Sequence, residues 1–239
     1  MVTFALQRSV ILRRKVTARR VLSRKNINID RNIRGARQLN GRRLRLLGFF
    51  PLAFFSAQAI HYWQINELGH MLWMCNIGNL LLALGLFFEE AISTRVAVIW
   101  MVPGVAVWFG YVVPTWGILL TGRFSYAELF GVLSSTLAHL GGFAVGIAVL
   151  RRVGMDERTW LYAFIWYFVV QLLSRLVTPA AMNVNLSQRI QPGWEKIFST
   201  YWSFWFVLGV LVGACLWILG LLLRRLWAAP SGLIEVGAR

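Results

Sequence analysis

Residues 66–88 read NELGHMLWMCNIGNLLLALGLFF. The run is long and apolar enough to cross a bilayer, since a span needs about 20 apolar residues at 1.5 Å rise each. Its first half nonetheless carries His70, Cys75, Asn76 and Asn79. Groups that polar are costly against lipid and tend to face a protein interior or a water-filled cavity. The stretch therefore predicts a membrane fold with a polar hollow inside it.

Working outward, five more segments have span character: 44–63, 95–116, 126–150, 160–178 and 201–223, alongside 67–88. They predict an all-α polytopic transmembrane bundle of about six spans over 44–225. A basic tail, partly amphipathic or disordered, precedes it over 1–43, and a short tail follows over 226–239. The composition agrees, with 58% hydrophobic and 14% charged residues, far from a soluble average. Helix-start signals mark several spans: Asn66 for the second, Asp156 or Thr159 for the fifth and Thr200 for the sixth. Ser125-Tyr126-Ala127-Glu128 has the pattern of a capping box. Pro103-Gly104 and Pro114 predict a kink or break in the third span. The Gly142-x-x-x-Gly146 and Gly209-x-x-x-Gly213 pairs predict close helix packing.

The formal charge of +16 is concentrated at one end, with fourteen of the twenty-five Lys and Arg lying in residues 1–45. Arginines also fill the loops between spans two and three (Arg95) and four and five (Arg151, Arg152, Arg158), and follow span six (Arg224, Arg225). By the bias of positive charge toward the cytoplasm, both termini are expected on the cytoplasmic side of the cell membrane. The tail suits anionic lipid headgroups, each basic residue near the surface contributing ~1 kcal/mol. Nucleic acid is not expected as a partner, because Phe4 is the tail's only aromatic for base stacking. Cys75 and Cys215 both fall inside spans, so no structural disulfide is expected.

Depth sorts the polar residues. Cys75 lies roughly 12 Å below the outer edge of its span and His139 roughly 20 Å, at 1.5 Å per residue. Gln171 and Arg175 share a face in the outer half of the fifth span, and His61 and His70 lie near the outer edge. Such gathering in one half of the bilayer predicts a site there. Cys75 and His139 can act as nucleophile and base: imidazole takes the thiol proton, and the thiolate attacks an ester carbonyl to form an acyl-thioester. Asn76 or Asn79 can donate to the oxyanion or orient the imidazole, and Arg175 can hold a lipid phosphate, with Gln171 as its companion inside the bundle and His70 also expected to contact substrate. A metal site built from His61, His70 and His139 is the competing reading. They lack the close spacing of ligands on one helix, so neither a metal nor another cofactor is expected. The loop 179–200, with Asn183, Asn185 and Arg189, is long enough to fold over the hollow as a lid.

With Cys75 in HMLWMCNIG and His139 in TLAHLGG, the chain resembles the YwaF-type bacterial integral membrane proteins. Their eukaryotic relatives include a membrane phospholipid acyltransferase that uses a Cys and a His from separate spans. The resemblance covers residues 46–225 and implies a lipid-directed acyl transfer through Cys75 and His139. It departs from the pattern at Trp73, where the bacterial proteins carry a His two before the Cys. Two functions follow from this reading. One is a Cys–His acyltransferase acting on membrane lipid from the outer leaflet. The other is a non-enzymatic membrane protein, whether a solute or lipid transporter, a sensor or a complex subunit, with a polar cavity in the outer half of the bundle.

Overall fold

The computed structural model describes residues 41–119, 122 and 125–228. The chain divides into a unit Met1–Arg43, whose described residues open the first helix, and a unit Leu44–Arg239 that carries the bundle. Most of the expected basic tail, up to residue 40, and most of the C-terminal tail lie outside the described residues. Helix α1 runs Gly41–Gln64. A 3-10 turn, Leu68–Leu72, leads into α2, Met74–Phe87, and α3 covers Ala91–Leu119. Helix α4 is Tyr126–Val153, α5 Thr159–Val177 and α6 Tyr201–Leu226. There is no strand among the described residues. The chain is a helical bundle, and α1, α3, α4, α5 and α6 are each long and apolar enough to cross a membrane.

The second span differs from the uninterrupted helix expected over 67–88. Asn66 has a left-handed backbone (φ 58°) and caps nothing. The chain then makes a 3-10 turn, and α2 begins only at Met74, leaving 14 residues. That is about 21 Å of helix, shorter than a full hydrocarbon crossing of about 30 Å. Its far end still reaches the level where α1 enters: Gly48 lies against Ala83 and Leu86, and Arg45 pairs with Glu89 at 2.7 Å.

Other helix ends follow the sequence more closely. Ser125 and Glu128 form the full reciprocal capping box on α4, and the Thr200 side chain accepts from the Ser203 N–H on α6. Helix α5 has Arg158 at its N-cap without a side-chain cap; Asp156 instead accepts from the Arg158 N–H at 2.7 Å. Helix α3 continues unbroken through Pro103 and Pro114, although each proline removes one rung of the ladder.

Helix α3 is the axis of the packing. Val96, Ala97, Val98, Ile99 and Trp100 are all essentially inaccessible. The Trp100 indole donates to Ala163 O on α5 at 3.1 Å, so its polar atom is satisfied inside the bundle. Because lipid is as apolar as leucine, such helices are held by close fit rather than by the hydrophobic effect. The small-residue pairs supply that fit by receiving side chains. Gly209 and Gly213 lie against Phe168 and Phe164 of α5, while Gly142 and Gly146 lie against Asn79 and Val98.

One end of the bundle is tied by polar contacts. Arg95 donates to the carbonyls of Gly154 and Val153, the Met155 N–H donates to Trp227 O, and Arg224 reaches Glu157 at 3.3 Å. The N-terminal turn of α1 past Arg43 and the C-terminal turn of α6 thus share this arginine-bearing end with both intervening turns. The loop 178–200 and the 3-10 turn Leu68–Leu72 lie at the other.

Candidate functional site

A cavity of about 800 Å³ occupies the half of the bundle remote from that arginine-bearing end. Cys75 from α2 and His139 from α4 both line it, as do His70, Asn76 and His61. Val107, Tyr111 and Cys215 line it too, yet are themselves exposed on the outside of the bundle. The hollow is therefore open sideways, at the depth where acyl chains lie.

His139 sits where α4 widens into a π-helical turn, Leu137–Gly141, a feature frequent at functional sites. Its Nδ1 is 2.8 Å from Ser135 O. A carbonyl only accepts, so the proton is on Nδ1 and Nε2 carries the lone pair. The ring lies against the Trp108 indole, centroids 5.1 Å apart at 11°. Trp108 in turn donates to Ser135 Oγ at 2.9 Å. The imidazole is held on one face and through one nitrogen, with Nε2 left as a base.

Cys75 is the second residue of α2 and is partly buried. Its Cβ rests on Gly104 of α3, where a methyl would come within 3.0 Å. The thiol and the imidazole thus meet α3 one turn apart, about 6 Å of helix rise. No hydrogen bond joins them among the described residues. They face one hollow from neighbouring helices, with room between.

Asn79 explains how the two helices are registered. Its Nδ2 donates both to Cys75 O at 3.1 Å and to Ala138 O at 2.9 Å. One amide nitrogen thus bridges the backbone of Cys75 and the residue before His139. Its Oδ1 lies over Gly142, leaving no room for a Cβ there. Asn79 does not line the cavity, so the oxyanion role expected for it has no geometric basis: its donors are committed to carbonyls. Asn76 does line the cavity; its Nδ2 donates to His70 O at 3.0 Å.

His70 is also engaged. Trp73 donates to its Nδ1 at 3.0 Å, and Nε2 lies 3.3 Å from Glu67. Trp73 thus holds the His70 ring through this hydrogen bond, with the two ring planes 6° from parallel.

Gln171 and Arg175 were expected to bind substrate, and the structure places them elsewhere. Neither lines the cavity. Gln171 donates to Tyr167 Oη and Asn185 O and accepts from Trp205. Arg175 donates to Ser187 O at 2.7 Å, with its guanidinium over the rings of Tyr201 and Trp202. They anchor the loop after α5, because a buried amide or guanidinium takes the nearest backbone partners.

That loop does reach inward. Val184, Asn185 and Ser187 are buried, and Asn185 and Leu186 line the cavity. Asn183, Asn185 and Leu186 all take left-handed backbone angles, folding the segment into a 3-10 turn. Asn185 Oδ1 accepts from the Met74 N–H at 3.3 Å, and its Nδ2 donates to Leu72 O at 2.7 Å and Ser174 Oγ. Helix α2, lacking a cap of its own, receives one from 111 residues away. No local sequence signal reveals this pairing, nor the π-helical turn.

The three histidines do not gather. His61 packs on Gly131 of α4, His70 on Trp73 and His139 on Trp108. Among the described residues no group of three His, Cys, Asp or Glu is placed to hold a metal. No family model, curated protein or solved structure matches this chain.

Proposed function

We propose that this multi-pass membrane protein transfers acyl groups between lipids through Cys75 and His139, as the resemblance to YwaF-type proteins implies. The observation that carries the reading is the state of His139: Nδ1 is tied to Ser135 O, leaving Nε2 as a lone-pair base in a hollow that Cys75 also lines. The sideways opening admits an acyl ester from the bilayer into the gap between them. Nε2 takes the thiol proton, and the sulfur forms a bond to the ester carbonyl. Collapse expels the alcohol, which leaves with the proton from the imidazolium, and an acyl-thioester remains on Cys75. A second alcohol or water, deprotonated by Nε2, then attacks the thioester and restores the thiol. With the arginine-bearing end cytoplasmic, the cavity faces the outer leaflet of the cell membrane. The described arginines support that orientation.

The rival reading is a cavity that binds or conducts without covalent chemistry. The absence of a thiol–imidazole hydrogen bond among the described residues favours it. The deciding experiment incubates the full chain in nanodiscs with a lipid bearing a labelled acyl chain, then looks for a hydroxylamine-sensitive adduct on Cys75 by mass spectrometry. Acyl transfer predicts the adduct in the wild type, its accumulation slowed in His139→Ala, and none in Cys75→Ala. If Cys75→Ala remodels lipid as well as the wild type, the enzymatic reading is lost and the rival stands.

A further inference from the structure

The walls of the hollow are not alike along its length. Helix α3 lines it from Trp100 to Thr115, about 22 Å at 1.5 Å per residue. Toward the loop end the other helices and turns bring polar groups to it, among them His61, Tyr62, Glu67, His70 and Glu128. Helix α6 contributes only Leu208, Val212, Cys215 and Leu216. Their spacing puts them on one helix face, and apart from the weakly polar thiol that face is hydrocarbon.

The α3–α6 side of the hollow has a floor and a sideways exit. Trp100 and Leu216 line it and are each only 1% exposed. Just beyond them, toward the arginine-bearing end, Ile99 of α3 lies against Gly220 of α6. Val107 and Cys215, by contrast, line the hollow and are also exposed on the outside of the bundle. Cys75 rests on α3 at Gly104, about 6 Å of helix rise from the level of Trp100. A chain that starts at the sulfur therefore soon meets this floor, and its way onward leads past Val107 and Cys215. An unfilled apolar void forfeits the dispersion contacts of its lining, and hydrocarbon is what stands at this opening in a bilayer.

We infer that the space between α3 and α6 seats one acyl chain of a bilayer lipid, its ester end at Cys75, its polar remainder toward the loop end, and the rest of the chain leaving past Val107 and Cys215. The placement of the ester end rests on the acyl-transfer reading. The seat itself is a statement about binding and can be measured without that chemistry.

The test uses the full chain carrying Cys75→Ala, so that no thioester forms, in nanodiscs containing a phosphatidylcholine with a diazirine midway along one acyl chain. After irradiation, labelled residues are located by peptide mass spectrometry. Seating predicts labels at the inward Leu208, Val212 and Leu216, besides the outward Phe206 and Leu222 that any surrounding lipid reaches. Alkylating Cys215 of the already folded protein with N-cyclohexylmaleimide crowds the exit. It should reduce the inward labels severalfold and leave the outward ones unchanged, and adding Cys215→Ser should remove this sensitivity. Val212→Trp, which fills the space directly, should reduce the inward labels in the same way. Absence of inward labels, or inward labels unchanged by the alkylation, overturns the inference. The adduct on Cys75 is followed separately with Cys75 intact. A seated chain without an adduct sinks the transfer chemistry alone, and an adduct formed at the wild-type rate in folded Val212→Trp sinks the seat alone.

Discussion

The indole of Trp108 lies nearly parallel to the imidazole of His139, ring centroids 5.1 Å apart and planes 11° from parallel. Trp108 also donates to Ser135 Oγ, on the residue whose carbonyl takes the His139 Nδ1 proton. One side chain on α3 thus sets the ring plane and braces the residue that sets the tautomer. If Cys75 and His139 carry out the proposed acyl transfer, Trp108→Phe, which keeps the stacking face, should retain it within a few-fold. Trp108→Leu removes the face, and a displaced base is expected to slow Cys75 acylation by about 10–100-fold. Single-turnover adduct formation checks both.

The bridge through Asn79 carries a stability prediction. Asn79→Leu removes the two hydrogen bonds to the carbonyls of Cys75 and Ala138, which at about 0.5–1.5 kcal/mol each cost about 1–3 kcal/mol together. Gly142→Ala should destabilise by a similar amount, about 1–3 kcal/mol of overpacking, because its methyl overlaps Asn79 Oδ1. Since both act on one contact, the double variant Asn79→Ala/Gly142→Ala should cost less than the sum of its parts. Thermal unfolding in detergent, followed by circular dichroism, measures each.

Asn185 holds both a carbonyl and an N–H of the junction before α2. Asn185→Gly keeps the left-handed backbone (φ 53°) available and isolates the side-chain bonds. It should cost about 2–4 kcal/mol through the lost cap and the stranded Leu72 carbonyl. Hydrogen exchange should rise at Met74 and Cys75 before it rises elsewhere in α2. Uniform exchange along the helix would argue against a capping role.

The two thiols differ in access. Cys215 is exposed on α6 whereas Cys75 is partly buried against Gly104. A lipophilic maleimide should therefore alkylate Cys215 first and Cys75 more slowly. Gly104→Val should slow the Cys75 reaction further and leave Cys215 unaffected. Peptide mass spectrometry over a time course reads both sites at once.

Glu90, in the turn between α2 and α3, caps α3 by accepting from the Ile92 and Ser93 N–H groups at 2.8 and 2.6 Å. Burial alone would raise its pKa, but the Ser93 and Ile92 hydrogen bonds and the nearby Arg95 charge outweigh it and hold the carboxyl below its ordinary value. A depressed folded pKa contributes stability that is fully present above the unfolded value of about 4.3. That stability is lost as pH falls through the lower folded value. Melting between pH 7 and pH 3 should show this loss, and Glu90→Gln should flatten the acid limb.

The membrane fold, the number of apolar segments and the presence of a hollow lined by some of their polar residues were legible in residue order. Hydrophobic length is a local property, and a polar residue inside a span must be sheltered wherever it lies. The Ser125 and Thr200 caps were readable for the same reason, since a cap acts within one turn. Residue order put Gln171 and Arg175 on one helix face but did not disclose that both hold the following loop, nor that Asn79 bridges two carbonyls. It also took 67–88 as one helix, because nothing near Met74 discloses that its cap is Asn185. Which buried polar group meets which carbonyl depends on helix register across the bundle, and only the tertiary packing decided that.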